Sequence, residues 1–262
     1  MGESARPRPV HVASRDNPLV KQLRRLSDHG TAYRKLGQFW IEGEHLCHAA
    51  LERQLRPGSL VVAESYVSRV PPSWMQAAAR TVVLTDTLFD GFSGLESPAR
   101  IGFVMDMPDA MQPRAGLATV VLDRIQDAGN VGSILRSAAA FGFRQVLALE
   151  GTAGLWSPKV LRAGMGAHFG LDLVEGLDAG AVLATGLTLV VTSSHQGAEL
   201  RRTLLPRPCA WVFGHEGQGV GPALMQQAGL SVRIPQPGGG ESLNVAAAAA
   251  ICLYASCLST SD

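Results

Sequence analysis

Residues 118–122 form a near-continuous apolar run closed by Asp123, the pattern of a strand covered on both faces. Residues 130–141 follow with helical spacing of apolar positions, and residues 145–149 repeat the buried-strand pattern. Further strands are predicted at 187–191, 210–213 and 231–234, and a helix over 245–258. Alternating strands and helices imply a mostly parallel sheet with helices on both faces. The first half of the chain is patterned differently. Residues 18–36 read as a helix, with Leu19, Leu23 and Leu26 on one side and basic residues between them. Strands are predicted at 39–42, 60–63, 81–84 and 101–105, with helices that include 44–55 and 73–80. The seam is the stretch MPDAMQPRAG at 107–116, with two prolines and mixed charge. The expected organisation is a disordered tail over 1–14, a small α/β domain over 15–107, a linker over 108–116 and an α/β domain over 117–262.

Composition narrows the class. With 46% hydrophobic and 17% charged residues the chain can bury a core, so a disordered protein is excluded. The net charge of +1 carries no global polyanion signal, but residues 1–36 hold eight basic residues against three acidic, an excess of five. A basic end on a neutral chain is either a polyanion site or a solvated tail. The four cysteines, Cys47, Cys209, Cys252 and Cys257, form no C-x-x-C pair and sit in no histidine cluster, so neither metal nor disulfide is expected. The N-terminus lacks the apolar stretch of a secretory signal, and the run 245–255 is far shorter than the roughly 20 residues of a bilayer span. A cytoplasmic protein without a membrane partner is expected.

Three loops carry candidate chemistry. DRIQDAGNVGSILRS at 123–137 follows a buried strand and opens a helix, where ligands of open α/β sheets bind. Asn130 could cap that helix. Arg136 lies among Ile134, Leu135, Ala138 and Ala139, so its charge is either paired, with Asp127 or Glu216, or used. VFGHEGQGVG at 212–221 ends a buried strand with four glycines around Glu216; these serve a close ligand approach or a strained turn. A dinucleotide fingerprint would follow the first strand of its domain instead. IPQPGGGESLNV at 234–245 is an irregular loop entering an alanine-rich helix, with Ser242 or Asn244 as a possible cap.

Together, in this order, the three segments resemble the SpoU (TrmH-type) branch of the SPOUT methyltransferases. Asn130, Gly132 and Arg136 match N-x-G-x-x-x-R; Phe213, Gly214, Glu216 and Gly219 match F-G-x-E-x-x-G; Ile234, Pro235, Gly238, Ser242, Leu243, Asn244 and Val245 match the third motif. SPKVLRAGMG at 157–166 resembles a further family stretch, and SRDNPLVK at 14–21 with FWIEG at 39–43 resembles the family's substrate-binding module, a ribosomal-protein-like α/β fold. The chain departs from the pattern at Ala128, Gly164, Gln236 and Ala246, where the family usually has Pro, Ser, Met and Ser.

The resemblance implies a deep trefoil knot in the C-terminal domain, a homodimer, and S-adenosylmethionine as cofactor. It implies methyl transfer to a ribose 2′-OH, with ribosomal RNA favoured over tRNA because of the separate N-terminal domain. Gly214, Ile234 and Leu243, with Thr192, Ser193, Pro235 and Gly219, would contact the cofactor. Arg136 would be the catalytic arginine, with Asn130, Glu216, Ser242 and Asn244 orienting it and the target nucleotide. Arg15, Lys21, Arg24 and Arg25 would hold RNA phosphates. The helix 245–258 would form part of the dimer interface. The rivals are a non-catalytic RNA-binding protein on the same fold, against which the retained motif residues speak, and a dinucleotide oxidoreductase, against which the late glycines speak.

Overall fold

The structure, a computed structural model, describes residues 9–193, 197–239 and 242–258. The chain forms two compact units: one of the residues up to Asp109 with Trp156–Arg162, the other of Ala110–Leu155 and the residues from Ala163 on. The segment Trp156–Arg162 follows the seam in sequence yet groups with the first unit, where the Trp156 ring lies 4.6 Å from that of Phe39.

The first unit is built on strands β1 (Val10–Val12), β2 (Gln38–Glu42), β3 (Ser59–Ala63), β4 (Thr81–Leu84) and β5 (Ile101–Asp106), in the order β1-β4-β3-β5-β2. β1, β4 and β3 are parallel; β5 is antiparallel to both its neighbours. β1 corrects part of the expected disordered tail. His11 and its neighbours pair with Val82–Leu84 of β4, whose backbone edge would otherwise stay open. Residues 1–8 of that tail lie outside the described residues. The helix expected over 18–36 is two helices, Pro18–Asp28 and Ala32–Leu36, interrupted around Gly30. Asn17 caps the first by accepting from the Leu19 amide at 2.9 Å, with Pro18 at its first position. Leu19, Val20, Leu23 and Leu26 are its buried face.

The second unit holds β6 (Thr119–Asp123), β7 (Gln145–Leu149), β8 (Asp172–Leu177), β9 (Thr188–Thr192), β10 (Ala198–Glu199), β11 (Cys209–Gly214) and β12 (Leu230–Arg233). Their order is β10-β12-β9-β11-β6-β7-β8, and every pairing is parallel. Every residue of β6 is buried, as are the first five of β11, so the centre of the sheet is covered on both faces. The chain runs from β6 to β8 towards one edge, then crosses back to β9, leaving a gap that β11 fills. Such a reversal opens a crevice beyond the carboxyl ends of the strands. The helix Val245–Leu258 has the predicted bounds, and the Trp211 indole N–H on β11 donates to its Ser256 Oγ at 2.8 Å. Within the described residues, no helix is long and apolar enough to cross a membrane.

Candidate active site

A cavity of about 520 Å³ lies beyond the carboxyl ends of β9, β11 and β12. Thr192 and Ser193 reach it from β9, Gly214 to Val220 from the loop after β11, and Ile234 and Gln236 from the loop after β12. Ser242, Leu243, Asn244, Val245 and Ala248 close it from the entry of the last helix. Of the residues predicted to contact a cofactor, Gly214, Gly219, Thr192, Ser193, Ile234 and Leu243 line it; Pro235 does not and is half-buried. Gln236, one of the departures from the family pattern, is part of the wall. Gly240 and Glu241 of this loop lie outside the described residues.

Gly214 is dictated by packing. A Cβ there would sit 2.2 Å from the Gly219 carbonyl carbon and from the Val220 nitrogen, closer than any side chain tolerates. The loop folds back because His215 and Gly219 exchange two backbone hydrogen bonds, at 3.1 and 2.8 Å. Inside that turn the His215 Nδ1 accepts from the amides of Gly217 and Gln218, at 3.0 and 3.3 Å. Nδ1 is therefore the unprotonated nitrogen of the ring.

The three predicted motifs meet at side chains. Asn130 Nδ2 donates to Glu216 Oε1 at 3.2 Å, and Asn244 Nδ2 donates to Asn130 Oδ1 at 3.0 Å. Glu216 also accepts from the amides of Asp127 and Gln126, at 3.3 and 3.4 Å. Burial acts to raise the Glu216 pKa. The hydrogen bonds from its own amide, from Asn130, and from the amides of Asp127 and Gln126 outweigh it and hold the carboxyl below its ordinary value. Asn244 also caps a helix, since its Oδ1 accepts from the amides of Ala246 and Ala247 at the start of Val245–Leu258. Capping the helix and joining the motifs fall to one side chain. Ser242 lines the cavity and is exposed.

Two expectations for the first loop are corrected. Asn130 does not cap its helix. Asp127 does, accepting from the Asn130 amide at 2.7 Å, so the helix starts at Ala128 and the Asn130 side chain bridges the other two motifs. Arg136 is not buried. It shares its helix face with Ser133 and Ala140, both exposed, while Ile134, Leu135 and Ala138 turn inwards, because adjacent helical positions point about 100° apart. It forms no ion pair with Asp127 or Glu216, and none with any carboxylate among the described residues.

Sequence reasoning misses the support behind the cavity. Asp123, ending β6, is 1% exposed. It accepts from Arg124 Nε at 2.7 Å and from the Gly221 amide at 2.5 Å, while Arg124 Nη1 donates to Gln218 Oε1 at 3.0 Å. This ion pair fastens the second half of the glycine loop, at Gln218 and Gly221. The acidic residue closing an apolar strand, next to an arginine, is the signal available. Gly164, another departure from the family pattern, is required by the buried His168: a Cβ there would lie 2.4 Å from the imidazole Cε1. Burial holds the His168 pKa down at about 4, so the ring is neutral, and its Nε2 lies 2.8 Å from the Leu155 carbonyl.

In the first unit, Arg15, Lys21 and Arg25 are exposed, and Lys21 pairs with Asp16 at 2.9 Å. Arg24 departs from that set: it is half-buried and its Nε is buried.

Residues 118–254 match the SpoU rRNA Methylase family, and residues 17–102 match the MRM3-like substrate binding domain. This chain belongs to the SpoU rRNA methylase family. It is 33% identical over 250 residues to the 23S rRNA (guanosine(2553)-2′-O)-methyltransferase RlmP of Bacillus subtilis, covering 93% of this chain and 97% of that one. Among solved structures, a putative RNA methyltransferase of the TrmH family from Porphyromonas gingivalis is 30% identical. Its TM-score is 0.77, over 90% of this chain and 95% of that one. The AdoMet-bound rRNA methyltransferase from Sinorhizobium meliloti is 25% identical, with a TM-score of 0.82 over 96% and 98%. The expected α/β class with its parallel second sheet is therefore that of the SpoU family.

Proposed function

We propose that this SpoU family member transfers a methyl group from S-adenosylmethionine to a ribose 2′-OH of ribosomal RNA. The observation that carries the reading is the hydrogen-bonded chain Glu216–Asn130–Asn244, which joins all three motifs at the rim of one cavity. The cavity fits the cofactor. Its volume is in the range of about 300–1,000 Å³ usual for small-molecule sites, and it combines apolar side chains (Ile234, Leu243, Val220, Ala248) with exposed backbone of the glycine loop. Gly214, Gly219, Ile234 and Leu243, with Thr192 and Ser193, would hold it. When bound there, it supplies an electrophilic methyl group on a sulfonium. The RNA assignment draws on the relative of matching length, whose name states a 23S rRNA 2′-O-methylation; a cytoplasmic site of action belongs to the same proposal.

What the protein itself contributes is positioning and charge. Glu216, Asn130 and Asn244 are bonded before substrate arrives, so little ordering remains to be done on binding. Arg136 projects from the Asn130 helix into solvent. A guanidinium stays protonated at neutral pH, so its role is to contact the target phosphate and ribose and to stabilise oxygen charge as the hydroxyl loses its proton to solvent water. Arg136→Ala is expected to cut methyl transfer to ribosomal RNA roughly 10²–10³-fold while S-adenosylmethionine still binds. Transfer at near wild-type rate would remove Arg136 from the mechanism. No transfer by the wild-type chain to any RNA would favour the non-catalytic reading.

We also propose a homodimer through the last helix, where Ile251, Tyr254 and Leu258 are exposed at 42, 51 and 58% with spacings of three and four. Sedimentation of Tyr254→Glu should report monomers, and an unchanged dimer would place the interface elsewhere. The trefoil knot belongs to the same proposal, and a crystal structure tracing the loops through 194–196 and 240–241 would test it.

A further inference from the structure

The edge of the seven-stranded sheet carries three arginines on one carboxylate. β10 and β12 place Glu199 in register with Arg233. Glu199 Oε1 accepts from Arg233 Nη2 at 3.0 Å, and Oε2 from Arg201 Nε at 3.1 Å. Arg202 Nε lies 3.7 Å from the same Oε2. The arginine side chains are 65, 74 and 37% exposed for Arg201, Arg202 and Arg233, against 24% for Glu199. No second carboxylate pairs with them among the described residues, so the cluster keeps a net charge of about +2 towards solvent.

Folding alone does not explain such a cluster. Exposed ion pairs contribute little to stability, and one carboxylate suffices for one arginine. Glu199, held below the ordinary carboxylate range by its hydrogen bond from Arg201 against the effect of desolvation, and by all three nearby charges, stays ionised and holds Arg201 and Arg233 by hydrogen bonds, with Arg202 alongside. Each guanidinium has five N–H donors and remains exposed beyond its contact with Glu199, so donors remain to offer to phosphate oxygens.

The position is specific. Arg233 directly precedes Ile234, which lines the cavity, and the Ser193 amide donates to the Val232 carbonyl at 2.9 Å. The turn Leu200–Arg202 packs on the helix Val245–Leu258, whose Val245 and Ala248 also line the cavity. The cluster thus stands at the carboxyl ends of β10 and β12, next in the chain to a wall of the cavity.

We infer that Arg201, Arg202 and Arg233 bind backbone phosphates of the RNA flanking the target nucleotide, a contact surface of the second unit distinct from the basic helix of the first. The inference rests on the RNA-methyltransferase reading above. Arg233 adjoins the cavity wall, so the test uses the other two. The double variant R201E/R202E of the full chain should bind purified 23S ribosomal RNA about tenfold or more weakly at ~0.1 M salt, with the slope of log affinity against log salt reduced by about 1.5. The charge-retaining R201K/R202K should stay within about threefold of wild type. Calorimetric binding of S-adenosylmethionine should be unchanged in both. Wild-type affinity and salt slope in R201E/R202E, with methyl transfer intact, would overturn this inference alone. Equal losses in the Lys and Glu variants would overturn it too, because charge would not be the cause. A wild-type chain that binds S-adenosylmethionine but no RNA would sink the functional reading along with it.

Discussion

The cavity and the exposed arginines of the second unit are built on opposite principles. At the cavity, polar groups bond to one another: Glu216 to Asn130, Asn130 to Asn244, Asn244 to the amides of its helix, His215 to its own turn. Outside it, Arg136 is exposed and without an ion pair among the described residues, and Arg201, Arg202 and Arg233 share one carboxylate. A site for a small cofactor gains from being organised before binding, since affinity otherwise goes into ordering side chains. A polyanion is attracted by charge that the fold has left uncompensated, and much of its binding free energy comes from releasing counterions. On the proposed reading, internal satisfaction marks the cofactor side, and residual charge marks the RNA side.

That contrast breaks most severely at Gly214. Gly214→Ala forces a methyl group against the Gly219–Val220 peptide, so the loop must move or strain by about 1–3 kcal/mol. S-adenosylmethionine affinity should fall at least about tenfold by calorimetry, the equivalent of about 1.4 kcal/mol. The salt slope of RNA binding should stay at the wild-type value, because no phosphate-binding cation has been touched. Equal losses of cofactor affinity and salt slope would mean that the two sides are one structure.

Much of the molecule is legible in the sequence, for identifiable reasons. Buried parallel strands write themselves as apolar runs, so β6, β7 and β11 are predicted to within a residue or so, and the alanine-rich last helix to the residue. β8 escapes because DLVEGL mixes polar and apolar positions on an edge strand, and β1 because three residues after a proline carry too little pattern. The motifs bring most of the predicted side chains to one cavity, but two local readings within the first motif fail. The environment of Arg136 is set by helix positions three and four away, not by the apolar residues adjacent in sequence. Asn130 stands near the helix start, as a cap would, while Asp127, three residues earlier, holds that place with a carboxylate. The Asp123–Arg124 support and the His215 turn depend on backbone atoms brought together by folding, which no spacing in the chain displays.

Glu216 sharpens the contrast, with a smaller effect. Its carboxylate gathers the Asn130 side chain and two amides of the first loop, and Glu216→Gln would keep an acceptor oxygen while placing an NH₂ donor against those same donors. A net loss of one hydrogen bond of about 0.5–1.5 kcal/mol predicts cofactor affinity lower by roughly twofold to tenfold at neutral pH. The effect should also carry a pH signature. The folded pKa of Glu216 is depressed, so its contribution to stability is complete above the unfolded carboxylate value near ~4.3 and is lost as pH falls through the lower folded value. The difference in urea midpoint between wild type and Glu216→Gln should therefore be constant from pH 7 to about 5 and shrink below the ordinary carboxylate range. A difference that persists undiminished at pH 3 would show that Gln acts by steric disturbance and not by loss of the charge. A difference missing at pH 7 would show that the loops are held together by Asp123 and Asn244 without it.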